Sequence, residues 1–534
     1  MALHTRTSTT VHRSRWCTLT TRAAEWVARS AAATTQFHAE SESLAIAHDD
    51  DADHVTRLMR VQCVGVGLKV GHLRAAELPE RHEGGLRWVS GDDSVAIAAD
   101  PAPDAVDAGT GRLSWRLELG PGESATITLR AKAHLGRNAV FAGATRVPWS
   151  RPTLACVDRR LPQAVHQGLD DLEGLLLEDA VEGPDERGDL FAAAGSPWFL
   201  TLFGRDSLWT ARMLMPLGTD LAMSTLRVLA RRQGTRHDPE SEEQPGRILH
   251  EVRAEPLALE HFTLPPTYYG TADATQLFVT CCAEAWRWGA DPDEVRELIP
   301  AVERALGWME EQAGDGFVRY VDSTGHGLSN QGWKDSVDSI QWADGSLAEP
   351  PIALSEVQAY AFQAAMLGAD LLDGFDRPGG DRWRAWASSL AERFRERFWV
   401  EDADGRFPAV ALDAQGAAVD SVASNMGHLL DTGLLDDEEA VAIAVGLRAA
   451  NEAPGQTAGR FAVSIDHSSI ARPPRAPPPR GGPARPRAGS AGRARHRSRP
   501  APVLSARVLV FTLAVFVIGG AGGHSAPHTY RMGE

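Results

Sequence analysis

From about Val157 onward the apolar residues return with the spacing of a helix, stretch after stretch, and this rhythm constrains the fold most. Leu161, Val165, Leu169, Leu172 and Leu176 stand three or four residues apart, which places them on one helical face. Similar stretches fall at roughly 206–216, 219–232, 272–288, 292–313, 353–373, 380–399, 421–431 and 436–450. Long polar loops rich in Trp, Tyr, His, Asp and Glu separate them. Paired helices joined by such loops describe an α/α toroid, whose functional groups sit on the loops that gather at one end. Nine stretches are legible, where six helix pairs would supply twelve. No fixed repeat length supports a solenoid.

Upstream the rhythm differs. Between Val61 and Lys132 short apolar runs alternate with Gly, Asp and Pro, the punctuation of strands. Leu113 to Leu119 alternates strictly and Ser124 to Arg130 nearly so, with Gly120-Pro-Gly-Glu123 between them, which predicts a hairpin. The expected fold is therefore mainly α and multidomain. Residues 1–60 form an ill-defined segment, 61–150 a β-sandwich-like domain, and 157–452 an (α/α)6 domain that lacks some of its helices. Residues 453–534 form an Arg- and Pro-rich tail.

The chain has room for two or three domains at 534 residues, and its apolar fraction of 43% is ordinary for a globular protein. A formal charge of −17 argues against nucleic acid as a partner, because phosphate binding needs a basic face. Five cysteines, no two of them in a CxxC spacing, argue against a disulfide framework or a zinc site. That usage fits a reducing cytoplasm. No metal or cofactor is expected.

Residues 471–500 hold nine Arg and no acid, a composition that cannot bury a core. The apolar run Val508–Ile518 is only eleven residues long, about half a bilayer span, so it is a weak tail-anchor candidate and argues little for a membrane. The texture of this tail resembles out-of-frame translation of GC-rich DNA, and a frame shift near residues 455–465 is the expectation.

One loop concentrates chemistry. Asn330-Gln-Gly-Trp-Lys-Asp-Ser-Val-Asp338 carries two carboxylates (Asp335, Asp338), a cation (Lys334), an indole (Trp333) and two amides within nine residues. Carboxylates move protons to and from oxygen, and a flat ring stacks on the apolar face of a pyranose. A solvated loop with a locally paired Lys and Asp explains the same residues in isolation. Four other segments bear on the choice. Pro197 to Ser207 holds Trp198, Phe203, Arg205 and Asp206 ahead of a helix, where Asp206 also serves as a cap. Pro245 to Arg253 holds His250, Glu251 and Arg253, without the second histidine of a zinc-protease motif. Thr267 to Thr275 puts Tyr269 and Asp273 at a helix start, and Pro350 to Tyr360 opens a helix with Glu356 and Gln358 near its first turn.

Taken in order, FGRDS (203–207), PGRILHEVR (245–253), YYGTADATQLF (268–278), NQGWKDSVDSI (330–340) and PIALSEVQAYAF (351–362) resemble bacterial glycogen-debranching proteins of the amylo-α-1,6-glucosidase type. The resemblance covers about residues 90–450. It implies an N-terminal β domain, an (α/α)6 catalytic toroid, and metal-free, inverting hydrolysis of α-glucosidic branch stubs. It implies Asp335 as general acid, and Arg205 with Asp206 as the pair that binds hydroxyls of the terminal glucose. Trp198, Phe203, His250, Glu251, Arg253, Tyr269, Asp273, Trp333, Lys334 and Asp338 would line the substrate site. The implied partner is an α-glucan or oligosaccharide. The general base is a departure: the family's Tyr-His-x-Gly-x-Val-Trp-Pro-type segment and the Glu after it have no counterpart here. A catalytically dead glucan-binding protein and a trehalase- or rhamnosidase-like hydrolase are therefore alternative readings.

Overall fold

The computed structural model describes residues 3–452 except for 13–24, 28–33, 45–54, 68–78, 91–92, 110, 120–123, 135–139, 157, 159, 181–187, 196–198, 259–261, 315 and 403–404. The expected tail, its apolar run and Trp198 lie outside the described residues.

Ten strands come first: β1 (Leu3–His12), β2 (Glu25–Val27), β3 (Thr34–Leu44), β4 (Val55–Gly67), β5 (Glu80–His82), β6 (Gly85–Ser90), β7 (Asp93–Asp100), β8 (Ala105–Asp107), β9 (Arg112–Leu119) and β10 (Ser124–His134). They make two antiparallel five-stranded sheets, ordered β1-β10-β7-β6-β5 and β2-β3-β4-β9-β8. The first sixty residues thus contribute strands to both sheets.

The two strands predicted as a hairpin are both present, but they do not pair. β9 lies between β4 and β8, with Leu113 opposite Val61, whereas β10 lies between β1 and β7 in the other sheet. Alternation fixes which face of a strand is buried, not which strand lies beside it. Leu113 and Trp115 are indeed buried, and the Trp115 indole donates to the Pro101 carbonyl at 2.9 Å.

Eight α-helices follow among the described residues: α1 (Arg160–Glu173), α2 (Gly204–Leu214), α3 (Asp220–Ala230), α4 (Ala274–Arg287), α5 (Pro292–Ala313), α6 (Ser355–Gly374), α7 (Gly380–Arg397) and α8 (Asp437–Glu452). Their limits follow local chemistry. Asp291 caps α5 by accepting from the Asp293 amide at 2.8 Å, and Pro292 at the first turn has no amide proton to leave unsatisfied. Gly379 stands at φ +114° before α7, a conformation that other residues rarely adopt.

The chain divides into two compact units. One comprises residues 1–211, 220–275 and 322–329, and the other 212–219, 276–321 and 330 onward. In the first, α3 packs on the strand Asp189–Ala192, and ion pairs reinforce the join: Asp189 holds Arg227 at 2.8 Å and Arg231 at 2.6 Å. In the second, α6 packs against α5, α7 and the short 3-10 segment Ser424–Leu429. α6 is buried almost all round. Its run of Ala and Gly lets neighbours approach closely: a Cβ on Gly368 would lie 3.1 Å from a Leu306 methyl.

Candidate functional site

The residues expected at a sugar site fall into two groups, one within each unit, and each group is described by itself. In the first unit, the turn before α2 brings Phe203 to an isolated bridge with Glu251. Gly204 follows, and no other residue fits, since a Cβ there would stand 2.2 Å from the Leu249 carbonyl oxygen. Arg205, on the first turn of α2, is buried. Its guanidinium lies 3.4 Å from Asp273, just before α4, and 3.7 Å from the more open Asp206. Asp273 is fully buried and accepts the Thr271 hydroxyl at 2.8 Å. Glu251 pairs with Arg253 at 2.6 Å.

His250 lies between Phe203 and Tyr268, edge-to-face with each at 5.3 and 5.9 Å. Burial and then the positive charges of Arg205, Arg253 and Arg247 hold its pKa well below the usual imidazole range. The neutral ring is therefore the one that folds. The unfolded chain takes up a proton near pH 6.5 and the folded chain does not, so stability is present above that pH and is lost as pH falls below it. Urea unfolding should show this loss at ~1.4 kcal/mol per pH unit below about pH 6.5, and His250→Gln should remove that part of the slope. An unchanged slope in the variant would contradict the assignment.

Two further residues in this unit were not among the expected set. The Tyr268 hydroxyl donates to Glu242 at 2.8 Å and accepts from the Leu328 amide at 3.0 Å. Arg247 stands 3.5 Å from Glu242 and donates to the Thr271 carbonyl. Tyr269, expected at the sugar, is buried and donates its hydroxyl to the Arg232 carbonyl at 2.9 Å. Burial, then Glu243, pushes its pKa up to about 12.

In the second unit the loop 330–338 is stapled by its first residue. Asn330 donates to the Ser336 carbonyl at 2.7 Å and accepts the Tyr320 hydroxyl at 2.7 Å. Burial, then the charge of Glu356, raises the Tyr320 pKa, so the hydroxyl keeps the proton that it donates. Gly332 is pressed on the start of α6: a Cβ there would stand 2.2 Å from a Leu354 methyl and 3.6 Å from Glu356 Oε1. Trp333, Lys334 and Asp335 are half-buried and Asp338 is exposed. The Lys334 ammonium sits 5.8 Å from the Trp333 ring centroid. Desolvation lowers its pKa, and Glu356 acts in the opposite sense.

Behind this loop stands the segment expected as a helix over 421–431, which is instead a 3-10 turn over Ser424–Leu429. In 3-10 geometry residues three apart eclipse, so Asn425 and His428 project the same way. Asn425 donates to Glu356 Oε1 at 2.7 Å, while His428 meets the Tyr360 hydroxyl through Nδ1 at 2.5 Å and the Trp333 ring at 4.3 Å. These contacts account for the tighter turn. Neither residue was singled out in the sequence, because Ser-Asn-Met-Gly-His-Leu-Leu reads there only as helix with polar interruptions. Glu356 is fully buried. No cluster of three or more His, Cys, Asp or Glu side chains suited to a metal ion occurs among the described residues.

No protein-family model matches the chain, and no curated protein matches it. Among solved structures it is similar to a GH78-family rhamnosidase of Bacillus sp. GL1, with 12% identity over 77% of this chain and 38% of that one, at a TM-score of 0.42. The chain thus spans well under half of that rhamnosidase. It is also similar to a rhamnosidase from Klebsiella oxytoca with rhamnose bound (14% identity, 79% and 80% covered, TM-score 0.39). A bacterial glucoamylase complexed with acarbose gives 10% identity, 80% and 69% covered, and a TM-score of 0.38. No helix among the described residues is long and apolar enough to cross a membrane.

Proposed function

We propose that the protein is a glycoside hydrolase of the debranching type, acting on α-glucan branch stubs with Asp335 as general acid. One observation carries the reading: the loop that holds Trp333, Lys334 and Asp335 is pressed by Gly332 against the fully buried carboxylate of Glu356. An indole, a half-buried ammonium and acidic groups on two separate elements suit a polyhydroxylated ring better than a flat apolar ligand. A carboxyl placed beside a leaving oxygen can give it a proton as the bond breaks. An inverting reaction also needs a carboxylate about 6.5–9.5 Å from the acid, with a water between them.

Release of monosaccharide from a branched limit dextrin, from trehalose and from an aryl rhamnoside tests the reading. Glucose from the dextrin, with the other two untouched, is the expected result. Turnover of trehalose or the rhamnoside alone would replace it with the other hydrolase reading. Binding of the dextrin without turnover would replace it with a glucan-binding protein.

A further inference from the structure

An aromatic ring that stacks on a ligand serves best when its plane is set beforehand, because ordering a side chain on binding costs affinity. Trp333 is half-buried, and a ring from outside its loop lies against it. This is the His428 imidazole, with centroids 4.3 Å apart and planes tilted by 53°. His428 is itself fixed: its Nδ1 stands 2.5 Å from the Tyr360 hydroxyl, and the two rings meet edge-to-face at 6.0 Å. Tyr360 is buried on the second turn of α6.

We infer that His428 is a positioning residue for Trp333: it carries the rigidity of α6 to the indole and sets the ring plane without itself touching the ligand. The inference rests on the reading above in one respect, that Trp333 meets the sugar.

The two elements meet in register. Four residues complete about one turn of an α-helix and three complete one turn of a 3-10 helix. Glu356 and Tyr360 on α6 therefore face Asn425 and His428 on the 3-10 turn as two rungs. Asn425 donates to Glu356 Oε1 at 2.7 Å on the first, and Tyr360 meets His428 on the second. The first rung anchors the turn, and the second aims the imidazole. The backbone of loop 330–338 is held separately, by the bond from Asn330 to the Ser336 carbonyl and by Gly332 against Leu354. A change at His428 should therefore release the indole and leave the loop in place. Histidine supplies both halves of the device, a flat ring for the indole and a ring nitrogen for the phenol. Asparagine can meet the phenol but offers the indole no ring.

Two measurements on the full chain test this: calorimetric binding of a limit dextrin, and fluorine NMR after 5-fluorotryptophan labelling. The Trp333 signal is the one missing from the spectrum of Trp333→Phe. His428→Asn should weaken dextrin binding about 3- to 10-fold, the range of one aromatic contact. It should also shift and broaden the Trp333 signal while the other tryptophan signals stay where they are. Should His428→Asn lose its melting transition, Tyr360→Phe takes its place. That variant keeps both rings, removes the hydroxyl that aims the imidazole, and should act in the same direction on both readouts. Unchanged dextrin affinity in whichever variant folds would overturn the inference and leave the glycosidase reading standing. So would weaker binding with the Trp333 signal unmoved, which is direct contact of His428 with sugar, or with all the tryptophan signals moved, which is damage to the fold. Dextrin that binds without being hydrolysed would remove the enzyme reading alone. Failure of the wild type to bind dextrin would overturn both.

Discussion

Asp335→Asn is expected to lower glucose release from a limit dextrin by about 100- to 10,000-fold, the usual range for removing a positioned general acid. The amide keeps the size of the side chain and cannot give a proton to the departing oxygen. Loop 330–338 is held by Asn330 and Tyr320 rather than by residue 335 alone, so the variant should fold as the wild type does. Affinity for the dextrin should stay within a few-fold. Loss of turnover with binding retained separates proton donation from sugar contact. Hydrolysis at the wild-type rate would remove Asp335 from the mechanism and move the search for an acid to Glu356.

The largest expected effect on stability is at Arg205. Its guanidinium is the cation 3.4 Å from Asp273, which is fully buried. Arg205→Ala leaves that carboxylate in the protein interior with the Thr271 hydroxyl but without the positive charge at 3.4 Å. Breaking a buried pair from one side costs about 3–5 kcal/mol, much of it the penalty of the charge left behind. Chemical unfolding should show this as a lower midpoint with an unchanged slope. A double variant, Arg205→Met with Asp273→Leu, should recover much of the loss, because replacing both members removes the stranded charge. A single variant as stable as the wild type would show that Asp273 does not depend on Arg205.

Much of the helical part could be read from spacing and caps. The stretch 292–313 is one helix end to end, because Asp291 and Pro292 mark its start and Gly314 its end. Three elements could not be read that way. The strands β9 and β10 alternate clearly, yet their partners are set by segments far away in sequence, which alternation does not encode. The 421–431 segment has helical spacing but tightens to a 3-10 turn, because Asn425 and His428 are both drawn to α6 and the Trp333 loop. Local propensity gave way there to tertiary contacts.

The candidate residues divide in the same manner. Arg205, Asp206, His250, Glu251, Arg253 and Asp273 are grouped in the first unit, with Phe203 beside them, and Trp333, Lys334 and Asp335 share a loop in the second. Unusual residue types crowded into short loops are visible in a sequence. The burial of Glu356 is not: an acid on the first turn of a helix ordinarily complements the helix dipole at the surface. Only the fold shows it enclosed, with Asn425 on one side and Gly332 on the other.

The most direct measurement is proton NMR of the full chain with a branched limit dextrin, following the anomeric signals from the first minutes. Hydrolysis with inversion predicts free glucose that appears first as the β anomer and then mutarotates. Glucose that appears first as the α anomer would contradict the inverting mechanism, and no glucose at all would contradict the assignment as a debranching hydrolase.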